Sequence, residues 1–277
     1  HAVIGLFLAF WCRLLRISSP SIVLAQLILP ERLKTVSQKL RQWFVVFSLK
    51  RVDVVVVYSQ IEVEKYESLY GNAKTQFVFV PLGIDFPQNI VTREKEYVFS
   101  GGRSNRDYGT LIQAAHAIKT PVVIVAQKYN IPQIELPPNI QLQYGVFGDE
   151  FDTLLAHASV VVIPLDRPDE SSGQLVLLRA MAMGKAIVVT ANRGIDDYIT
   201  NESVMVIPPH DSKRLADAVI TLLSRSEKRQ EMGARAQKVV AQFSISNQAE
   251  RIAELLYEYT QPELEVVSQK YVGHHEA

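Results

Sequence analysis

The sequence predicts an α/β protein of doubly wound parallel sheets, and three features carry that reading. Short, unalternating apolar runs (VVVV at 54–57, VVIVA at 122–126, VVVI at 160–163, AIVVT at 186–190) have the character of strands covered on both faces. Stretches with apolar residues at helical spacing separate these runs. With 277 residues, 48% of them hydrophobic, the chain can bury one large or two ordinary cores.

Taken in order, residues from Val3 to Ile17 read as a helix that Ser18, Ser19 and Pro20 break, and SIVLAQLIL reads as a strand and its exit. The apolar run before Arg13 is shorter than the ~20 residues that span a bilayer. Residues 31–51 form a basic amphipathic helix with Leu33, Val36, Leu40, Trp43, Phe44 and Phe47 on one face. Arg32, Lys34, Lys39, Arg41, Lys50 and Arg51 there oppose a lone acid, Glu31. Such a helix can make peripheral contact with an anionic membrane or pack its apolar face on a sheet, and the strand DVVVVYS that follows directly favours packing. A helix over Gln60–Tyr70 ends at Gly71 and Asn72, TQFVFVP is the next strand, and VPLGIDF (80–86) leads into a polar stretch. Only ~85 residues precede that point, fewer than a doubly wound domain needs, so an incomplete first domain is expected.

From Tyr97 the alternation is regular: YVFS, a helix from Asp107 to Ile118, VVIVA, NIQLQYG, a helix from Asp149 to His157, VVVIP, a helix after Gly173, AIVVT, a short helix near Asp196, VMVIP, and a helix from Ser212 to Leu223. Six such strands imply one Rossmann-like parallel sheet with right-handed crossovers. Helices over Glu227–Gln242 and Ser246–Tyr259 follow. The expected division is 1–95 for the end of a first domain and linker, 96–243 for a ligand-binding domain, and 244–277 for a terminal helix that crosses back to the first domain, and a tail.

Formal net charge is zero, without a basic stripe interleaved with aromatics in the second half, which speaks against nucleic acid as a partner. A single cysteine, Cys12, fits a reducing, cytoplasmic setting. The histidines do not fall at ligand spacing, so no metal is expected. Nucleophile-elbow and Walker patterns are absent from the sequence.

Chemistry gathers instead at ESSGQLVLLRAMAMGKAIVVT (170–190). Ser171, Ser172 and Gly173 open a helix whose first N–H groups, on Ser172, Gly173 and Gln174, can hold an anion such as a diphosphate. Glu170 ahead of them can accept hydrogen bonds from ligand hydroxyls. A second turn, SGGRSNRDYG (100–109), follows the first strand of the second domain. Gly101 and Gly102 can face the same crevice at the carboxyl ends of the strands, with Arg103 and Arg106 gripping phosphate oxygens. In LQYGVFGDE (142–150), Tyr144, Gly145 and Val146 can wall a pocket for a planar base.

These segments resemble the retaining glycosyltransferases of the "group 1" family (family 4), which share the GT-B fold. LRAMAMGKAIVVT is similar to that family's donor-site helix and strand, and VPLGIDF to the segment that closes its first domain. The resemblance implies transfer of a sugar from a nucleotide-diphosphate sugar to a saccharide or lipid-linked acceptor, without a cofactor. It also implies donor contacts from Gly101, Gly102, Arg103, Arg106, Tyr144, Val146, Glu170, Ser171, Ser172, Gly173, Gln174, Leu175 and Arg179, with catalytic roles for Glu170, Arg103 and Arg106. Arg179 stands where the family has a second glutamate, Ala186 where it has proline, and Leu82 where it has asparagine. A binding module on the same fold without turnover, or a nucleotide-sugar epimerase, is the alternative.

Overall fold

The computed structural model describes residues 2–17, 21–25, 36–71, 74–86 and 94–272. Residues 31–35 of the basic stretch, most of the exit after the first strand, Asn72 and the polar segment 87–93 lie outside the described residues. The chain forms two compact units, one of His1–Pro81 with Ser246–Ala277, the other of Leu82–Ile245. The described residues of 82–86 and 94–95 belong to the second unit because their backbone is tied there. Ile84 exchanges hydrogen bonds with Phe243 and Ile245, and the Lys95 N–H donates to the His157 carbonyl.

In the first unit, β1 (Val23–Ala25), β2 (Val54–Val57) and β3 (Gln76–Phe79) form a parallel sheet in sequence order. Every residue of β2 is buried, as its uninterrupted valines require. Helices α1 (Ala2–Leu14), α2 (Val36–Leu49) and α3 (Gln60–Tyr70) join the strands. The buried side of α2 is Val45, Ser48 and Leu49 rather than the expected stripe. Leu40 and Trp43 point to solvent, and Phe44 and Phe47 meet Phe10 of α1 at ring distances of 5.0 and 5.2 Å. Phe44 and Phe47 of that stripe thus serve helix pairing, because α1 supplies an aromatic partner that sequence spacing cannot reveal. Helix α9 (Ile245–Val272) lays Ile252, Leu255 and Tyr259 against Val54, Val56 and Val80 and continues through Pro262.

The second unit carries six parallel strands in the order β6-β5-β4-β7-β8-β9: β4 (Val98–Gly101), β5 (Val122–Ala126), β6 (Ile140–Tyr144), β7 (Val160–Ile163), β8 (Ala186–Thr190) and β9 (Met205–Ile207). The order reverses between β4 and β7, the switch point at which open α/β sheets bind ligands. α4 (Tyr108–Ala115) and α7 (Ser212–Leu223) share one core cluster with this sheet, through Leu111, Ile112, Val219 and Leu222. α5 (Gly148–His157), α6 (Gln174–Ala182) and α8 (Ser226–Val240) complete the unit. β7 and β8 are buried throughout, so each is a two-sided core strand and the loops at its end are held by a rigid base.

Candidate functional site

The carboxyl ends of β4, β5 and β6 and the first turn of α6 border a cleft of about 180 Å³. Gly102 and Arg103 come from the turn after β4, Val125 to Gln127 from the end of β5, Gly145 to Gly148 from the turn after β6, and Phe151 from α5; Leu175, Val176 and Arg179 come from α6. Of the residues assigned from sequence, Gly102, Arg103, Val146, Leu175 and Arg179 line this cleft. Gly101, Arg106, Tyr144, Glu170, Ser171, Ser172, Gly173 and Gln174 do not.

The turn after β4 owes its shape to two glycines and two hydrogen-bonding side chains. A Cβ on Gly101 would meet the Phe151 ring, which packs edge-on against Phe99 at 5.2 Å. Gly102 sits at φ +129°, and a Cβ there would run into the Arg106 guanidinium. That guanidinium is folded back, donating from Nε to the Gly101 carbonyl at 3.2 Å and from NH1 to that of Ser104 at 2.7 Å. Burial lowers its pKa from the ordinary arginine value. The Tyr108 hydroxyl donates to the Gly102 carbonyl at 2.8 Å, and burial pushes its pKa up to about 12. Arg106 is therefore a brace of the turn, while Arg103 is exposed and, among the described residues, has no ion-pair partner.

The loop between β7 and α6 is strapped from two sides. Asn105, at φ +52°, donates from Nδ2 to the Arg167 carbonyl and the Ser172 hydroxyl, both at 3.0 Å, and its Oδ1 accepts the Arg167 N–H at 2.8 Å. Asn192 donates to the Arg167 and Glu170 carbonyls at 2.7 and 3.1 Å. Gln174 is buried, and its amide donates to the Ser171 hydroxyl and, at 2.9 Å, to the Gly194 carbonyl. Gly173 opens α6 at φ +90°, where a side chain would also crowd Leu165 and Ile163. Glu170 forms an ion pair with Arg167 of the same loop. The Glu170 to Gln174 segment is thus a tightly held support for the first turn of α6, whose Leu175 and Val176 reach the cleft.

Arg179 has its charge matched. Its guanidinium donates to Asp152 of α5 at 2.9 Å, and both side chains are largely sheltered. Tyr144 turns outward beneath the Lys128 ammonium, 5.8 Å from its ring, leaving Val146 and Phe147 to wall that side of the cleft. The sequence reading passed over Asn105, Phe147, Phe151 and Asn192. A phenylalanine inside the polar turn GVFGDE and an asparagine between two arginines were the signals available.

The fold brings His210, at φ +56°, to Asp107 and Asp166, with ligand atoms within 4.8 Å of one another. The His210 Nδ1 lies 2.9 Å from Asp107 Oδ2, so the imidazole is already engaged with a carboxylate that also caps α4 through the Thr110 N–H. No sequence spacing announces a pair separated by 103 positions.

Residues 94–225 match the family model "Glycosyl transferases group 1". A comparison with curated protein sequences gives no match. Among solved structures, HepE of Anabaena in complex with UDP aligns with a TM-score of 0.71 at 18% identity, over 93% of this chain and 77% of that one. Sucrose-phosphate synthase of Thermosynechococcus elongatus aligns at 0.65 and 22% identity, over 81% of this chain and 62% of that one. TarM of S. aureus, solved with UDP, aligns at 0.63 and 16% identity, over 77% and 46%. The chain thus spans less than two thirds of the length of two of these three proteins. The two parallel sheets and these alignments establish the GT-B fold, and the match to the glycosyltransferase group 1 model falls on the second unit of that fold.

Proposed function

We propose that this chain is the donor-binding part of a glycosyltransferase that moves a sugar from a nucleotide-diphosphate sugar to a saccharide or lipid-linked acceptor, with retention at the sugar carbon. The observation that carries this reading is the cleft itself. It lies at the carboxyl ends of β4 to β6, holds the exposed Arg103, which has no ion-pair partner among the described residues, and is bordered by the first turn of α6. The first N–H groups of any α-helix lack intrahelical acceptors and sit at its positive end, so they and Arg103 together suit a diphosphate leaving group that gains charge as its bond to the sugar breaks. Val146 and Phe147 offer apolar contact for a base. HepE has been solved with UDP and with UDP-glucose, which favours uracil as that base.

In this reading Arg103 contacts the diphosphate and Arg106 holds the turn that presents it. Glu170, oriented by Arg167, accepts hydrogen bonds from sugar hydroxyls. Retention follows if the departing donor phosphate takes the acceptor proton on the same face, so a separate protein base is not required. The donor is a substrate, and the reading calls for neither a cofactor nor a metal.

Thermal unfolding of the chain with UDP, GDP, ADP and inorganic phosphate tests this. A nucleotide at a hundred times its Kd stabilises the native state by ~2.7 kcal/mol. A rise in Tm with one nucleotide and not with phosphate is the expected result; equal, null responses to all four refute the site. One observation favours a second reading, a binding module without turnover: Arg179, at the position of a family glutamate, is spent on Asp152. Binding of UDP together with failure to release it from UDP-glucose would select that reading.

A further inference from the structure

We propose that the outward face of α1 and α2 docks on an anionic lipid surface. Val3, Ile4, Leu8, Trp11, Leu14 and Leu15 recur at helical spacing along one side of α1, and each is more than half exposed. The opposite side of α1, at Leu6, Ala9 and Cys12, is buried, so apolar residues occupy both sides of the helix while, among the described residues, only one side is covered. Leu40 and Trp43 of α2 extend the exposed face at 66% and 56% exposure. Phe10 joins the two sets, with its ring 5.6 Å from Trp11 and 6.4 Å from Trp43. Contiguous apolar surface on this scale marks an interaction site.

Charge selects the occupant. Residues 1–52 contain eight Lys and Arg against one acid, Glu31, leaving 21 against 28 in the remainder of a chain whose total is zero. The positive excess is therefore concentrated in this segment of the chain, and among its described residues Arg16, Lys39 and Arg41 are exposed. Large apolar side chains beside tryptophans, within a basic surround, match the acyl boundary and the phosphate layer of an anionic membrane, which a helix enters lying flat. No described helix is long and apolar enough to cross a bilayer, which agrees with a surface-lying role. A second copy of the chain would instead set this positive face against its own like charge.

The two tryptophans of the sequence, Trp11 and Trp43, both lie on this face, so intrinsic fluorescence reports on it without a label. The chain is mixed with vesicles of phosphatidylglycerol and phosphatidylcholine in equal parts, with phosphatidylcholine vesicles alone, and with brominated lipid. Expected are a blue shift and bromine quenching on the anionic vesicles, weakened by salt. The double variant Arg16→Gln, Lys39→Gln should bind them on the order of 25-fold more weakly, given about fivefold per basic residue at a charged surface. Leu8→Glu with Leu15→Glu should abolish binding while leaving the circular dichroism spectrum and Tm unchanged, since both side chains are exposed. Absence of quenching on anionic vesicles overturns the proposal. So does equal binding to neutral ones, or a dimer in light scattering that Leu8→Glu, Leu15→Glu dissociates in a chain that ignores vesicles.

Discussion

Replacing Asn105 tests how the candidate site is held together. Its side chain makes three hydrogen bonds, at 3.0, 3.0 and 2.8 Å, that join the turn after β4 to the loop ahead of α6. Net values run about 0.5–1.5 kcal/mol per bond, and the partial exposure of this strap argues for the lower end, giving about 1.5–2 kcal/mol in total. The backbone adds a separate cost. Asn105 sits at φ +52°, where asparagine is tolerated and alanine pays roughly 1 kcal/mol more. Asn105→Ala should therefore cost about 2.5–3 kcal/mol, and Asn105→Gly about 1.5–2, because glycine loses the hydrogen bonds but not the backbone fit. Urea unfolding monitored by circular dichroism reads the difference as a shift in midpoint, with an unchanged m-value showing that the compactness of the end states is preserved. Both variants should also bind UDP about tenfold more weakly, ~1.4 kcal/mol, since the first turn of α6 loses its brace. If the two variants unfold together within 0.5 kcal/mol of the parent, or if UDP affinity survives both, Asn105 does not hold the site and the reasoning fails.

Other outcomes follow from the same geometry. Arg103→Ala should lower UDP affinity by at least ~1 kcal/mol, about fivefold, in a calorimetric titration, without change in Tm. Gly102→Ala must displace a guanidinium held by two carbonyls and strain a φ of +129°, so a loss of roughly 1–3 kcal/mol of stability is expected in thermal unfolding. Burial, with Lys95 and Lys185 adding to it, holds the His157 imidazole below its ordinary pKa. The unfolded chain therefore takes up the proton first, and stability falls as pH drops below about 6.5 until the folded imidazole also protonates. His157→Gln should flatten that part of a Tm-versus-pH profile and leave it unchanged above neutrality.

Much of the second unit was legible because its signals are local. VVIVA and AIVVT coincide with β5 and β8 to the residue, and the helix expected over Ser212–Leu223 is α7. A buried parallel strand advertises itself by continuous β-branched residues, and a helix by its period, whatever surrounds them. The Gly-rich turn and the opening of α6 were visible for the same reason, since their small residues answer to backbone demands within a few positions. The apolar stripe of α2 was legible too, but not its use, because spacing marks a face without saying what meets it.

What the sequence by itself determined, then, is the alternation of elements, the parallel sheet and the two turns that supply backbone to the candidate site. Tertiary structure alone decided which charges are available there. Arg106 and Arg103 differ by three positions, yet one is folded onto carbonyls at the Gly-rich turn and the other is exposed. Arg179 finds Asp152 27 positions away, His210 finds Asp107 across 103, and Asn105 reaches Ser172 across 67. The strength of an ion pair or hydrogen bond depends on distance and shelter in space. Both are set by how strand ends converge, and no window of the sequence contains them.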